Sequence, residues 1–294
     1  MKANQPSRLL QSMLGSAALV SVAGGLSSVS TDAQAGISNT KHNLTLATNL
    51  NRATAGAGTE ICVFCHTPHG SDTSAPVPLW NKRLNTATVY TTYPVGGTLD
   101  ARTVLSPTGS VSLACLSCHD GTQAMDNVIN GAGSGLYDTS GGGATGLNWT
   151  WNTTGNVNSS GQLVSTINGT TNLAVTLIGT DLRNDHPIGI EYCGGYSAAG
   201  VAQANCRDSD FNQATLIGTF DNAAAQYYIE ASGNGVRDKG DIILYTRAFG
   251  GNNRPSVECG SCHDPHVESK GANQVAFLRV SQAGSGVCLA CHAK

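Results

Sequence analysis

Four copies of one pentapeptide constrain this chain more than anything else in it. Cys62-Val-Phe-Cys65-His66, Cys115-Leu-Ser-Cys118-His119, Cys259-Gly-Ser-Cys262-His263 and Cys288-Leu-Ala-Cys291-His292 all read C-x-x-C-H. Two thiols three residues apart on one turn can bond both vinyl groups of a single haem, and the His that follows projects onto the iron as its proximal ligand. The four motifs use eight of the ten cysteines. Zinc would use C-x-x-C knuckles paired about 15–20 residues apart, with no need for His after every second Cys. Disulfides within each C-x-x-C suit cytosolic redox enzymes better than a chain with four copies. The pattern therefore predicts four c-type haems, bound covalently through Cys62, Cys65, Cys115, Cys118, Cys259, Cys262, Cys288 and Cys291. Their proximal iron ligands are His66, His119, His263 and His292.

The histidine count extends this reading. Of eight His, the motifs use four, which leaves His42, His69, His186 and His266 as distal ligands. Four spare imidazoles for four irons allow every haem to be bis-histidine, and Met125 is the one methionine outside the first 35 residues. His69 and His266 sit in matching contexts, Cys-His66-Thr-Pro-His69 and Cys-His263-Asp-Pro-His266. A His three residues after a proximal ligand cannot reach the far face of the same macrocycle. It can reach the iron of a neighbouring haem, so this motif implies close haem pairs.

The order of a lone His, then C-x-x-C-H-x-P-H, then a plain C-x-x-C-H occurs twice: His42, Cys62–His69, Cys115–His119, and His186, Cys259–His266, Cys288–His292. That is a duplicated dihaem unit in which each copy holds enough His for its own two irons. The expected organisation is a secretory leader over 1–35, a first dihaem unit over 36–125, a Gly/Thr/Asn-rich β/loop insertion with His186 over 126–258, and a second dihaem unit over 259–294. The leader reading rests on Lys2 and Arg8, a short apolar stretch over Met13 to Val22, and Ala33-Gln34-Ala35. In the insertion, alternation from Leu147 and the Asn168-Gly169 turn predict one or two β-hairpins. Cys193 and Cys206 lie outside the motifs, and a disulfide between them is the simplest outcome in an oxidising compartment. Glu230, Ser232, Asn234, Asp238 and Asp241 place oxygen atoms at positions 1, 3, 5, 9 and 12 of a loop, as in a calcium site of the EF-hand type. A polar turn before the strand-like Ile242–Tyr245 accounts for the same residues.

Composition excludes some partners. A formal charge of −3 lacks the cationic surface that neutralises phosphates, so nucleic acid is not expected. No later apolar stretch is long enough to cross a bilayer. With 36 Gly against 5 Phe, 8 Tyr and 3 Trp, a conventional side-chain core is hard to build. Haem faces would supply the apolar interior, and the haem-free chain should be largely unfolded.

The quoted motifs, with Asp185-His186-Pro187 and the Phe277-Leu-Arg-Val280 to Cys288 ending, resemble the doubled C-x-x-C-H cytochromes. The nearest resemblance is to the tetrahaem extracellular cytochromes of the OmcE type, which polymerise into electron-carrying filaments. The resemblance implies a multihaem cytochrome c fold: mostly loop, short helices at the C-x-x-C-H motifs, a few β-hairpins, and a core built around four stacked haems. It also implies that one haem of each subunit is capped by a His of the next, for which His42 is the candidate. The partners implied are copies of the chain itself and other redox proteins or extracellular electron acceptors. The expected function is electron transfer and not catalysis, at the cell surface or beyond it. A monomeric periplasmic shuttle and a multihaem reductase with one open iron position are the alternatives.

Overall fold

Among the described residues, α-helix is confined to the C-x-x-C-H motifs. The computed structural model describes residues 36–96, 99–133, 147–167, 170–171, 176–195, 206–218, 226–267 and 277–293. The segment read as a leader lies outside them, as do most of the Gly-rich run after Gly131 and the Asn168-Gly169 turn. Helix α1 (Val111–His119) carries the second motif, α2 (Cys259–Cys262) the third, and α3 (Gly286–Cys291) the fourth. Ser110 caps α1 through a bond from Ser112 N, and the helix buries Leu113, Ala114 and Leu116. At α2, the Glu258 N–H donates to Ser261 Oγ at 2.9 Å and the Glu258 carboxylate accepts from the Ser261 N–H, a reciprocal cap. The first motif is a single turn, closed by His66 N to Cys62 O at 2.8 Å.

Strands β1 (Ala53–Ala55) and β2 (Thr150–Trp151) pair antiparallel, as do β3 (Thr166–Ile167) and β4 (Thr170–Thr171). The β3–β4 register sets Ile167 opposite Thr170, so the predicted hairpin forms, while Trp151 pairs back to Ala53 near the first motif. The remaining strands are β5 (Ile190–Glu191), β6 (Thr215–Gly218), β7 (Gln226–Ile229), β8 (Ile242–Phe249) and β9 (Asn252–Val257). They form one antiparallel sheet in the order β5-β9-β8-β7-β6. The β8–β9 turn is Gly250-Gly251 with φ of 55° and 82°, and it sets Phe249 opposite Asn252. Two consecutive positive φ values are what a tight hairpin asks for and what glycine supplies without a steric cost.

This five-stranded sheet is more β-structure than the hairpins expected of the insertion. Its buried face holds Ile229, Ile242 and Leu244, packed with Tyr192, Cys193 and Val257. A second cluster gathers Phe64, Met125, Val128, Trp149 and Trp151 under the first motif, with Cys65 and Cys118 on its edge. A third joins Tyr90, Leu113, Leu116 and Leu182. The aromatic-poor composition had suggested an interior made of haem alone. Instead the few large side chains are concentrated in these clusters, with motif cysteines at their edges. By contacts, Ala35–Lys294 forms one unit.

Candidate haem-binding sites

In each motif the backbone turns once, so that cysteines at i and i+3 share one face. His263 N donates to Cys259 O at 3.1 Å and His292 N to Cys288 O at 2.9 Å. After the turn the chain straightens, with ψ of 136° at His263 and 126° at His292, and carries the imidazole away from the helix. Bridges then hold the histidine backbones: His66 with Trp80, His263 with Leu278, and His292 with Phe211. The carbonyl of His119 accepts from Ile178 N at 2.8 Å.

The rings are oriented by their own hydrogen bonds. His66 Nδ1 lies 2.9 Å from Pro78 O, His119 Nδ1 2.7 Å from Thr176 O, and His42 Nδ1 3.0 Å from Pro265 O. His186 Nδ1 lies 3.0 Å from its neighbour Pro187 O, and His266 Nδ1 3.2 Å from Asp264 Oδ1. A carbonyl cannot donate, so Nδ1 must carry the proton and Nε2 keeps its lone pair. This is the arrangement that presents Nε2 to a metal. Burial pushes the pKa of His119 down, against the raising effects of Thr176 O and Asp120, which further favours the neutral ring.

Two pairs of imidazoles then lie close together. The ring centres of His66 and His266 are 6.1 Å apart with planes 17° from parallel, and those of His119 and His42 are 6.2 Å apart with planes at 65°. Two imidazoles on opposite sides of one metal, each bonded at about 2 Å, have ring centres roughly 6 Å apart. His266 belongs to the second repeat and His66 to the first, so this pair crosses the repeats, although each repeat held enough His for itself. His42, the candidate for reaching another subunit, lies beside His119 of its own chain and stacks on Phe277 at 4.1 Å. His69 and His186 are exposed, and among the described residues neither makes a ring contact with another histidine.

The motif thiols are neighbours in chain order. Burial, then the Cys118 thiol, push the Cys65 thiol up to about 12, while Lys82 acts in the opposite direction. The Cys115 thiol is raised first by its hydrogen bond to Cys259 and then by burial. Burial, with Cys259 next, raises Cys262, and burial with Cys262 next raises Cys291 to about 12. Each motif thus feels the next one in the chain: Cys65 feels Cys118, Cys115 feels Cys259, and Cys291 feels Cys262.

Sequence reasoning missed the groups around these ligands. Trp80 stands edge-on to His66 at 5.9 Å, and its buried Nε1 has no hydrogen-bond partner. Phe277 backs His42, and Phe211 lies 4.5 Å from the His292 ring. Phe277 opens the segment that carried the family resemblance, whereas nothing local to Trp80 or Phe211 marks them out. The paired imidazoles, the line of thiols and an orphaned donor beside a proximal ligand all fit covalent haem.

Two further expectations resolve differently. Cys193 and Cys206 are joined in a disulfide, as predicted. The candidate calcium loop satisfies its own carboxylates. Glu230 accepts from Ser232 N, Ser232 Oγ, Gly233 N and Gly235 N, and Asp241 accepts from Ala231 N and Asp238 N. Asn234 Nδ2 is spent on Asp238. Among the described residues no cluster of three or more His, Cys, Asp or Glu is placed to hold a metal ion. These bonds build a polar turn that leads into β8, the other reading of the same residues.

Residues 254–294, which include the third and fourth motifs, match the family model of the doubled CXXCH motif. No curated protein matches the chain. The motif indicates covalently bound c-type haem and electron transfer of the cytochrome c class. Among the described residues no helix is long and apolar enough to cross a membrane.

Proposed function

We propose that this chain holds four bis-histidine c-type haems and conducts electrons along them, as the subunit of an extracellular cytochrome filament. The observation that supports the reading is the separation of two imidazole pairs, 6.1 Å for His66 with His266 and 6.2 Å for His119 with His42, each ring with Nδ1 tied to an oxygen. A bound haem supplies a one-electron Fe(III)/Fe(II) couple. The residues would do the rest: the eight motif cysteines would fasten the macrocycles, and with two imidazoles on each iron no coordination position would be left for a substrate. Two strong nitrogen donors also favour a lower potential than a His/Met pair. His69, the counterpart of His266 in its motif, serves His263, and His186 serves His292. Because His42 is engaged within its own chain, exposed His186 is the imidazole that a neighbouring copy can present, so that coordination and assembly become one event.

Electron paramagnetic resonance of the oxidised protein should show low-spin iron only. A high-spin signal equal to one haem in four would overturn the conduit and favour a reductase. Electron microscopy of the secreted fraction should show filaments, whereas particles of one subunit's size would replace the filament with a soluble shuttle.

A further inference from the structure

Lys82 carries a buried amine that neither attachment nor ligation explains. Lys82 is 0% exposed, and its Nζ donates to a single acceptor, Ala124 O, at 2.9 Å. Among the described residues it makes no ion pair. A buried ammonium in this state is costly, by several kcal/mol in general, unless a counter-charge meets it. Its position is fixed by its neighbour. Asn81 N donates to Cys65 O at 2.8 Å, and Asn81 Nδ2 donates to Val63 O and Asn130 O at 2.6 and 2.8 Å. Residue 82 is therefore locked behind the turn that carries Cys62 and Cys65, and Lys82 is the one cation among the groups acting electrostatically on the Cys65 sulfur. Asp126 is the nearby carboxylate. It is itself buried: Oδ2 accepts from Trp149 N at 2.8 Å, Oδ1 has no hydrogen-bond partner among the described residues, and burial pushes its carboxyl up toward the neutral form against the lowering effect of Lys82.

We infer that Lys82 sets the reduction potential of the haem fastened by Cys62 and Cys65, holding it above the value that the same ligands would give without the buried cation. Reduction of an iron adds one negative charge beside a fixed positive one, and low dielectric keeps that attraction strong. Pairing of the ammonium with a haem carboxylate would act with the same sign, because removing Lys82 would leave that carboxylate uncompensated. The first site of the line becomes the one most readily reduced, which gives the conduit a step in potential.

The inference rests on haem attachment at the first motif, and the experiment separates the two. In the four-haem protein, Lys82→Gln keeps a donor for Ala124 O and removes the charge. A redox titration followed by electron paramagnetic resonance should move one of four one-electron waves to lower potential by about tenfold in equilibrium constant, or about 59 mV, with the others unmoved. Four waves that all stay in place, or a shift to higher potential, overturn the role of Lys82. Fewer than four waves in the unaltered protein overturn the haem reading itself. Should the variant fail to load haem, the unaltered protein labelled with 15N-lysine decides. One Nζ resonance must change between oxidised and reduced states far more than the others, and uniform changes overturn the inference.

Discussion

A ring nitrogen three ångströms from a carbonyl determines which end of a histidine can bind iron. That detail separates the histidines here from ordinary surface residues, because five of the eight have Nδ1 engaged by a backbone or carboxylate oxygen. The ligand types were legible in the sequence, since C-x-x-C-H names them and the spare histidines match the motifs in number. The partnering was not. Three-residue spacing excludes His266 from its own haem but does not say that Pro265 meets His42, or that His266 meets His66. The loop supporting His66 gives a test at this scale. Asp72 accepts from Ser74 N at 2.9 Å, Ser74 Oγ at 2.7 Å and Leu84 N at 3.2 Å, with Arg83 at 3.3 Å. Burial alone would raise its pKa, but these donors outweigh that effect and hold the carboxyl below its ordinary range. A group depressed in the folded state contributes stability above its unfolded value and loses it as pH falls through the folded one. Asp72→Asn should therefore lower stability by about 1–2 kcal/mol at pH 7. The deficit should shrink as pH falls below about 3.9, measured by denaturant unfolding of the haem-loaded protein at a series of pH values.

Among the elements, the described α-helices fall where the C-x-x-C-H motifs require a turn. The five-stranded sheet was less legible. Its strands β8 and β9 are adjacent in sequence, and Gly250-Gly251 marks their turn, but β5 joins from more than fifty residues away, which local periodicity cannot report. The contact between α1 and α2 is also non-local. Ser112 Oγ donates to Glu258 Oε2 at 2.5 Å and accepts from Cys259 N at 3.0 Å, so one hydroxyl joins the second motif to the third. Glu258 is buried and also accepts from Ser256 Oγ at 2.9 Å, with Arg247 at 3.4 Å. Ser112→Ala removes a donor to a buried carboxylate and an acceptor for a backbone N–H, a loss of about 1–3 kcal/mol. Thermal unfolding should show that loss. Circular dichroism in the Soret region should change as well, because it reads the relative orientation of neighbouring haems. An unaltered Soret spectrum at full destabilisation would confine Ser112 to stability alone.

For the whole molecule, the question is how much of the fold survives without its haems. Composition argued for very little, since 36 glycines and few aromatics leave scant material for a core. The arrangement of the side chains changes that expectation for one part of the chain. The cluster on the five-stranded sheet buries Tyr192, Ile229, Ile242 and Leu244 almost completely, and the Cys193–Cys206 disulfide ties its edge. A crosslink closing a loop of this length stabilises by about 3 kcal/mol in the chain-entropy model. The first two motifs pack on a cluster of Phe64, Met125, Trp149 and Trp151 that is assembled from loops and the short strands β1 and β2, with few ladder hydrogen bonds to hold its amides. Cys62 and Cys288 are exposed, and Cys65 and Cys118 sit at the margin of their cluster. Hydrogen exchange on the haem-free chain should therefore divide in two. Amides of β7, β8 and β9 should stay protected, while those over 62–84 and 286–292 exchange rapidly and become protected only after haem attachment. Reducing the disulfide should abolish the remaining protection in the sheet. Uniform exchange over the oxidised haem-free chain would mean that the haems organise the sheet as well as the motifs. Uniform protection would mean that side chains alone build the conduit's frame before any macrocycle is attached.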